Sequence, residues 1–175
     1  MFTLFHFGFE IFKIALQAAV YSSIILLLIF ILIKITGNNR LRLIKFKTIY
    51  FTIAGLMFIF SFTYYGNHGL GDEATIPLGH MKTMNSSDGY AYLNLEPNNQ
   101  INIDSFLVRN DHLCFASKNN YYDYQLPSGK CAKYYSRQEY EVYASAHNLP
   151  RVNEFKTFYP QYAAYWNGWR FWFLP

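Results

Sequence analysis

Residues 14–33 form an unbroken run of 20 uncharged positions, closed by Lys13 on one side and Lys34 on the other. Within it Ile24, Ile25, Leu26, Leu27, Leu28, Ile29, Phe30, Ile31, Leu32 and Ile33 follow without a polar residue, so a helix here is apolar on every face. About 20 helical residues cross the roughly 30 Å hydrocarbon core of a bilayer. A soluble fold would have to cover such a helix all round, and the 110 residues from 66 to 175 are little to do it with. A cleaved signal peptide has a basic leader, an apolar stretch of roughly 7–15 residues and a small-residue cleavage site. No Lys or Arg precedes Lys13, and the run ends in Lys34 rather than in small residues. The segment is expected to stay in the membrane.

Residues 48–71 are a second uncharged stretch of 24, of which 48–65 read as a second span. Its Thr and Ser hydroxyls are tolerable, because each can bond back to its own helix. No charged residue lies inside either span, which argues against a subunit that conducts ions by itself. Between the spans, Lys34, Arg40, Arg42, Lys45 and Lys47 bring five cations and no acid. The net charge of +4 therefore sits in this linker, since residues 66–175 carry 9 basic and 10 acidic side chains. Basic short loops mark the cytoplasmic side. Both termini are then expected outside the cytoplasm, on the periplasmic face of a bacterial inner membrane. The loop is too short to fold on a nucleic acid. Lipid headgroups are its expected contact, through Arg40, Arg42, Lys45 and Lys47.

Small residues recur along the first span at Ala15, Ala19 and Ser23, with Ala18 and Ser22 beside them. Such spacing lets helices approach closely in lipid. The seam could take another membrane protein, or the second span through Ala54 and Gly55. The simpler expectation is packing between the two spans.

After residue 65 the composition turns polar. Residues 66–97 read as loops with one or two short strands, and Ser86-Ser87-Asp88-Gly89 is a turn signal. From residue 106 the pattern sharpens. Runs at 106–108, 113–116, 121–126 and 131–135 are aromatic and β-branched, and turn compositions separate them, which predicts an antiparallel meander. Ser136-Arg137-Gln138-Glu139 is a capping box, predicting a helix over 137–147 with Tyr140, Tyr143 and Ala144 on its apolar stripe. Asn153 and Pro160 suggest two further short helices.

The last 17 residues contain eight aromatics. Trp166, Trp169, Arg170 and Trp172 are candidate contacts for a partner or the bilayer, because Trp, Tyr and Arg dominate interface hot spots and Trp and Tyr favour the membrane surface. The tail could equally close the domain's own core, and that is the outcome expected here.

Candidate chemistry is sparse. His68, Asp72, Glu73 and His80 are metal-ligand types, but their spacing matches no known site, and solvated loop residues are the plainer reading. Cys114 and Cys131 would lie two strands apart, near 10 Å, so a disulfide needs the middle strand displaced. There is no Gly-x-Ser-x-Gly elbow, phosphate loop, dinucleotide fingerprint or His-Glu-x-x-His. No catalytic residue, metal or cofactor is therefore assigned.

The expected fold is a membrane protein of the α+β class. Two transmembrane helices (about 14–35 and 48–65), joined by a basic loop (36–47), precede an extracytoplasmic domain (66–175) with a β-meander and short C-terminal helices. The expected function is non-enzymatic: an accessory, anchoring or partner-binding subunit, with the bilayer and a membrane or periplasmic protein as partners. The alternatives are a sensor or ligand-binding module using the Tyr-rich domain for sugar or peptide, and a metal-dependent enzyme around His68–His80.

Overall fold

The computed structural model describes residues 2–37, 45–69, 72–96 and 99–175. The chain forms two compact units, Met1–Asn67 with Gly168–Pro175, and His68–Asn167.

In the first unit α1 runs from Phe2 to Thr36 and α2 from Phe46 to Ser61. At 1.5 Å per residue, α1 is about 52 Å long. Among the described residues it is the one helix long and apolar enough to cross a membrane. Where a second span was expected over 48–65, the helix covers Phe46–Ser61. Helix α2 has 16 residues, about 24 Å, and stops at Ser61. Its end is local chemistry: the Ser61 and Thr63 hydroxyls donate to the carbonyls of Phe58 and Phe60, and a turn follows. Gly66 belongs to that turn, where any Cβ would run into the Phe60 backbone.

The two helices pack through Ile14, Ala18 and Met57, with Tyr21, Tyr50, Ile53 and Ala54 around them. Ser22 is fully buried and donates to the Ala18 carbonyl over 2.6 Å. The close-packed small residues are therefore Ala18 and Ser22. The line Ala15, Ala19 and Ser23 lies beside them, with Ser23 exposed, and Gly55 on α2 is exposed as well.

The described residues of the second unit form eight strands in two antiparallel meanders. The first comprises β1 (Glu73–Gly79), β2 (Lys82–Ser87), β3 (Tyr90–Glu96) and β4 (Asn99–Ile103). The second comprises β5 (Ser105–Arg109), β6 (His112–Ser117), β7 (Asn120–Gln125) and β8 (Cys131–Tyr134). The predicted meander is this second sheet. Over 66–97, where loops with one or two short strands were expected, the first sheet places β1, β2 and β3.

Four hairpins close on two-residue turns with positive φ at both central positions: His80-Met81, Asp88-Gly89, Asn110-Asp111 and Lys118-Asn119. That is the type I′ geometry, whose twist matches the flanking strands. Only the Asp-Gly and Asn-Asp pairs advertise it by composition. One face of each sheet meets in a shared core of Ile76, Met84, Leu93, Ile103, Phe106, Leu113, Phe115, Tyr124 and Leu126.

Helix α3 (Arg137–Ala146) covers the other face of the second sheet. Its predicted cap is present, with Ser136 Oγ accepting from the Glu139 amide over 3.2 Å. The Glu139 carboxylate reaches back to the Tyr135 amide, one residue before the cap position. Asn148, at φ +54, and Pro150 end the helix. A 3₁₀ turn at Val152–Glu154 and helix α4 (Phe158–Trp166) follow.

This C-terminal segment seals the first strand of both sheets. Phe106 of β5 exchanges two backbone hydrogen bonds with Lys156, and Gln161 donates to the Phe106 carbonyl over 2.6 Å. On β1, the Thr75 amide donates to the His68 carbonyl, and Trp166 Nε1 donates to the Thr75 carbonyl. Unpaired strand edges invite foreign strands, and these bonds occupy them.

Candidate functional site

Gly168, at φ +76, separates α4 from a last short helix, α5 (Trp169–Phe173). A left-handed glycine is the ordinary way to interrupt a helix. The break divides the candidate aromatic contacts into two groups.

Trp166 is only 3 % exposed, its ring lies 3.7 Å from the His68 ring, and its indole N–H is spent on Thr75. It is core of the β unit, which corrects its place among the partner or membrane contacts. Trp169, Phe171, Trp172 and Phe173 are all exposed, and Trp172 is 71 % so. Arg170 stacks over the Trp169 ring at 5.0 Å. The expectation that the whole tail closes the domain core fails for residues 169–175.

These residues lie instead against α1. Gln17 Nε2 donates to the carbonyls of Trp172 and Leu174, each at 2.9 Å, and Tyr21 donates to the Phe173 carbonyl at 2.8 Å. The carbonyls are those a five-residue helix leaves without internal partners. Two polar side chains one turn apart on an apolar helix thus hold the tail. Lys13 stands one turn before Gln17, with its ammonium 5.1 Å from the Phe171 ring centre. Between α1 and α5 runs an open apolar groove of about 680 Å³.

Of the proposed headgroup contacts, Lys45 and Lys47 are exposed at the start of α2. Arg40 and Arg42 lie outside the described residues.

Among the described residues, buried reactive side chains concentrate in the β unit. Asp123 of β7 is 2 % exposed and lies across from Cys114 on β6. Its Oδ1 is 2.7 Å from His112 Nδ1 and 3.9 Å from Cys114 Sγ, and its Oδ2 accepts from the Tyr143 hydroxyl at 3.3 Å. Tyr140 hydrogen-bonds Cys114 with its side chain and donates to the Pro150 carbonyl over 2.6 Å. Cysteine, histidine and aspartate together invite a nucleophile reading. Burial pushes the Cys114 thiol up to about 12, the reverse of what a nucleophilic thiolate needs. Burial likewise raises Tyr140 and Tyr134. The cluster is a packed polar lock under α3. The alternation that put His112 and Cys114 on one strand face was visible in sequence, but Asp123 opposite them was not.

Cys131 is exposed on β8, the sheet edge, while Cys114 is buried with β7 between them, and both are free thiols. The metal-ligand types do not converge. His68 stacks on Trp166 before β1, whereas His80 follows β1 and meets Asp111 at 3.2 Å. Among the described residues no three His, Cys, Asp or Glu side chains form a metal-sized group. The Tyr-rich strands spend their rings on packing: Tyr122 stacks on Phe115, and Tyr121, Tyr134 and Tyr143 lie around Tyr140 under α3. A polar recess of about 450 Å³ beside α3 includes Arg109, Arg151 and Glu154. There the Glu154 carboxylate already binds Arg109 Nη2 and the Arg151 amide, each at 2.7 Å, and this holds it below the usual carboxylate range.

No protein-family model matches the chain, and neither does any curated protein or solved structure.

Proposed function

We propose that this chain is a non-enzymatic, membrane-anchored subunit that holds its α+β unit at the outer face of a bacterial inner membrane for a protein partner. One observation carries the anchor. Helix α1 exposes Leu16, Val20, Ile24, Leu27, Leu28 and Ile31 together, an apolar surface that water does not tolerate and lipid does. Its 20 uncharged residues exceed a signal peptide's core. In this reading α2 makes the second pass, with the local bilayer thinned or the helix ends extended to meet its shorter length. Exposed Lys45 and Lys47 then face the cytoplasm with the rest of the basic link. The partner-binding role rests on the exposed aromatics of α5.

Two measurements test it. The full chain should stay in the pellet on alkaline carbonate extraction, and recovery in the supernatant would remove the anchor. In intact cells a membrane-impermeant maleimide should label exposed Cys131, while a cysteine replacing Lys47 in a Cys131→Ser background should be protected. The opposite labelling would invert the topology. Affinity purification in mild detergent should return a stoichiometric protein partner, and a lone chain would remove the accessory role.

A further inference from the structure

We infer that α5 is itself inserted in the membrane: it lies in the outer leaflet, held against the first turns of the span, with its aromatic side chains in lipid. This rests on the membrane-anchor reading. It also narrows the partner role, since a protein that meets these aromatics meets them inside the bilayer.

The depth follows from the residues that hold the helix. Gln17 and Tyr21 donate to the carbonyls of Trp172, Phe173 and Leu174, and both stand inside the uncharged run 14–33 of α1. Lys13 closes the outer end of that run, which as a helix is about 30 Å long. Gln17 lies about 6 Å and Tyr21 about 12 Å below Lys13, so α5 is fixed at the depth of a single leaflet.

The bonding suits lipid. A short helix in water leaves its last carbonyls to the solvent at little cost. Hydrocarbon supplies no donor, so the protein must provide one. Here three consecutive carbonyls each receive a donor from α1. The side chains agree. Trp169, Phe171, Trp172 and Phe173 are exposed, and α5 contains no acid. Its one cation, Arg170, stacks on Trp169, while Lys13 reaches over Phe171. Tryptophan with Lys and Arg beside it is the composition of the membrane–water boundary, where rings sit at the headgroups and long cations extend toward them. Leu16 and Val20 of α1 stand exposed beside Phe171, Trp172 and Phe173, so α5 continues the surface that the anchor already gives to lipid.

The test is tryptophan fluorescence of the full chain reconstituted in phosphatidylcholine–phosphatidylglycerol vesicles, with lipids brominated near the headgroup end or near the tip of the acyl chain as quenchers. Bromine near the headgroup end should quench strongly and bromine at the tip weakly, and iodide in the water should quench little. Trp169→Phe with Trp172→Phe should lose most of the bromolipid quenching, because the remaining Trp166 is buried in the β unit. Gln17→Leu with Tyr21→Phe removes the three hydrogen bonds from α1 and should reduce the quenching. Strong iodide quenching without bromolipid quenching would put α5 in water and overturn the proposal. So would quenching that survives in either double variant, or a dimer that shields α5 from both quenchers. Carbonate extraction reports on the anchor separately. A chain that pellets with membranes while its tryptophans escape bromine loses only this insertion, and a chain that is extracted while its tryptophans remain quenched loses the anchor and keeps the contact.

Discussion

Trp166 donates its indole N–H to the carbonyl of Thr75 over 2.7 Å, closing the outer edge of strand β1 from the last turn of α4. The carbonyl belongs to a residue 8 % exposed, so water does not readily replace the donor. Trp166→Phe should therefore cost about 1–3 kcal/mol, the price of a buried acceptor left alone. Trp166→Ala should cost about 3–5 kcal/mol. Urea denaturation followed by circular dichroism measures both. Equal stability of the Phe variant and the wild type would mean the edge is satisfied some other way.

Truncation after Asn167 separates the two fates of the aromatic tail. Residues 169–173 are exposed or half-exposed and hydrogen-bonded to α1, so the β unit loses none of its core. The segment 68–167 should fold, with dispersed amide resonances and a cooperative melt. An unfolded segment would return the tail to the domain core.

Asp123 is the keystone under α3. Asp123→Ala strips the acceptor from His112 and Tyr143 together, and each buried donor left alone costs about 1–3 kcal/mol. Asp123→Asn keeps the shape and should cost less, about 1–3 kcal/mol. Chemical denaturation of each variant checks the order. A neutral Ala variant would mean that the cluster contributes nothing.

The two thiols should differ sharply. Native protein should react with an aromatic disulfide reagent at Cys131 and not at Cys114, and unfolded protein at both. Partial desolvation raises the Cys131 thiol, so labelling is best followed above pH 8. The raised Cys114 thiol has a consequence for stability. The unfolded thiol releases its proton near 9 and the folded one near 12, so the folded state binds more protons across that window. Stability should be unaffected by this group below pH 9 and fall as pH rises from 9 to 12. Melts of Cys114→Ala should show a shallower alkaline decline, and an unchanged slope would exclude the thiol as its source.

Ser136→Ala removes the oxygen that accepts from the Glu139 amide, typically worth ~1 kcal/mol. A domain of this size should then melt about 4–8 °C lower. An unshifted melt would mean that the Glu139 carboxylate on Tyr135 carries the helix start alone.

What could be read from the chain follows how local the determining physics is. A run such as Ile24 to Ile33 is apolar whatever surrounds it, so α1 was legible at once. Ser136 and Glu139 act within one turn, so the start of α3 was legible too. The second meander announced itself through Asn110-Asp111 and Pro127-Ser128-Gly129. The first did not. His80 and Met81 take left-handed conformations that their types do not suggest, and β2 and β4 are largely polar. They are strands because β1 and β3 supply hydrogen bonds to β2, β3 supplies them to β4, and Met84 and Ile103 join the shared core.

By itself, then, the sequence determined a long apolar helix, a polar α+β remainder, one meander and one capped helix, because periodicity, capping and turn chemistry act over a few residues. Only the tertiary structure decided which tryptophan is core and which is surface, since Trp166 and Trp169 differ by a single left-handed glycine between them. It also decided the candidate site. Gln17 and Trp172 are 155 positions apart, and nothing in either neighbourhood foretells that one amide would hold the other's carbonyl and leave its own oxygen buried without a partner. Such pairings arise when packing brings distant polar groups together away from water, where each must find a partner or remain costly.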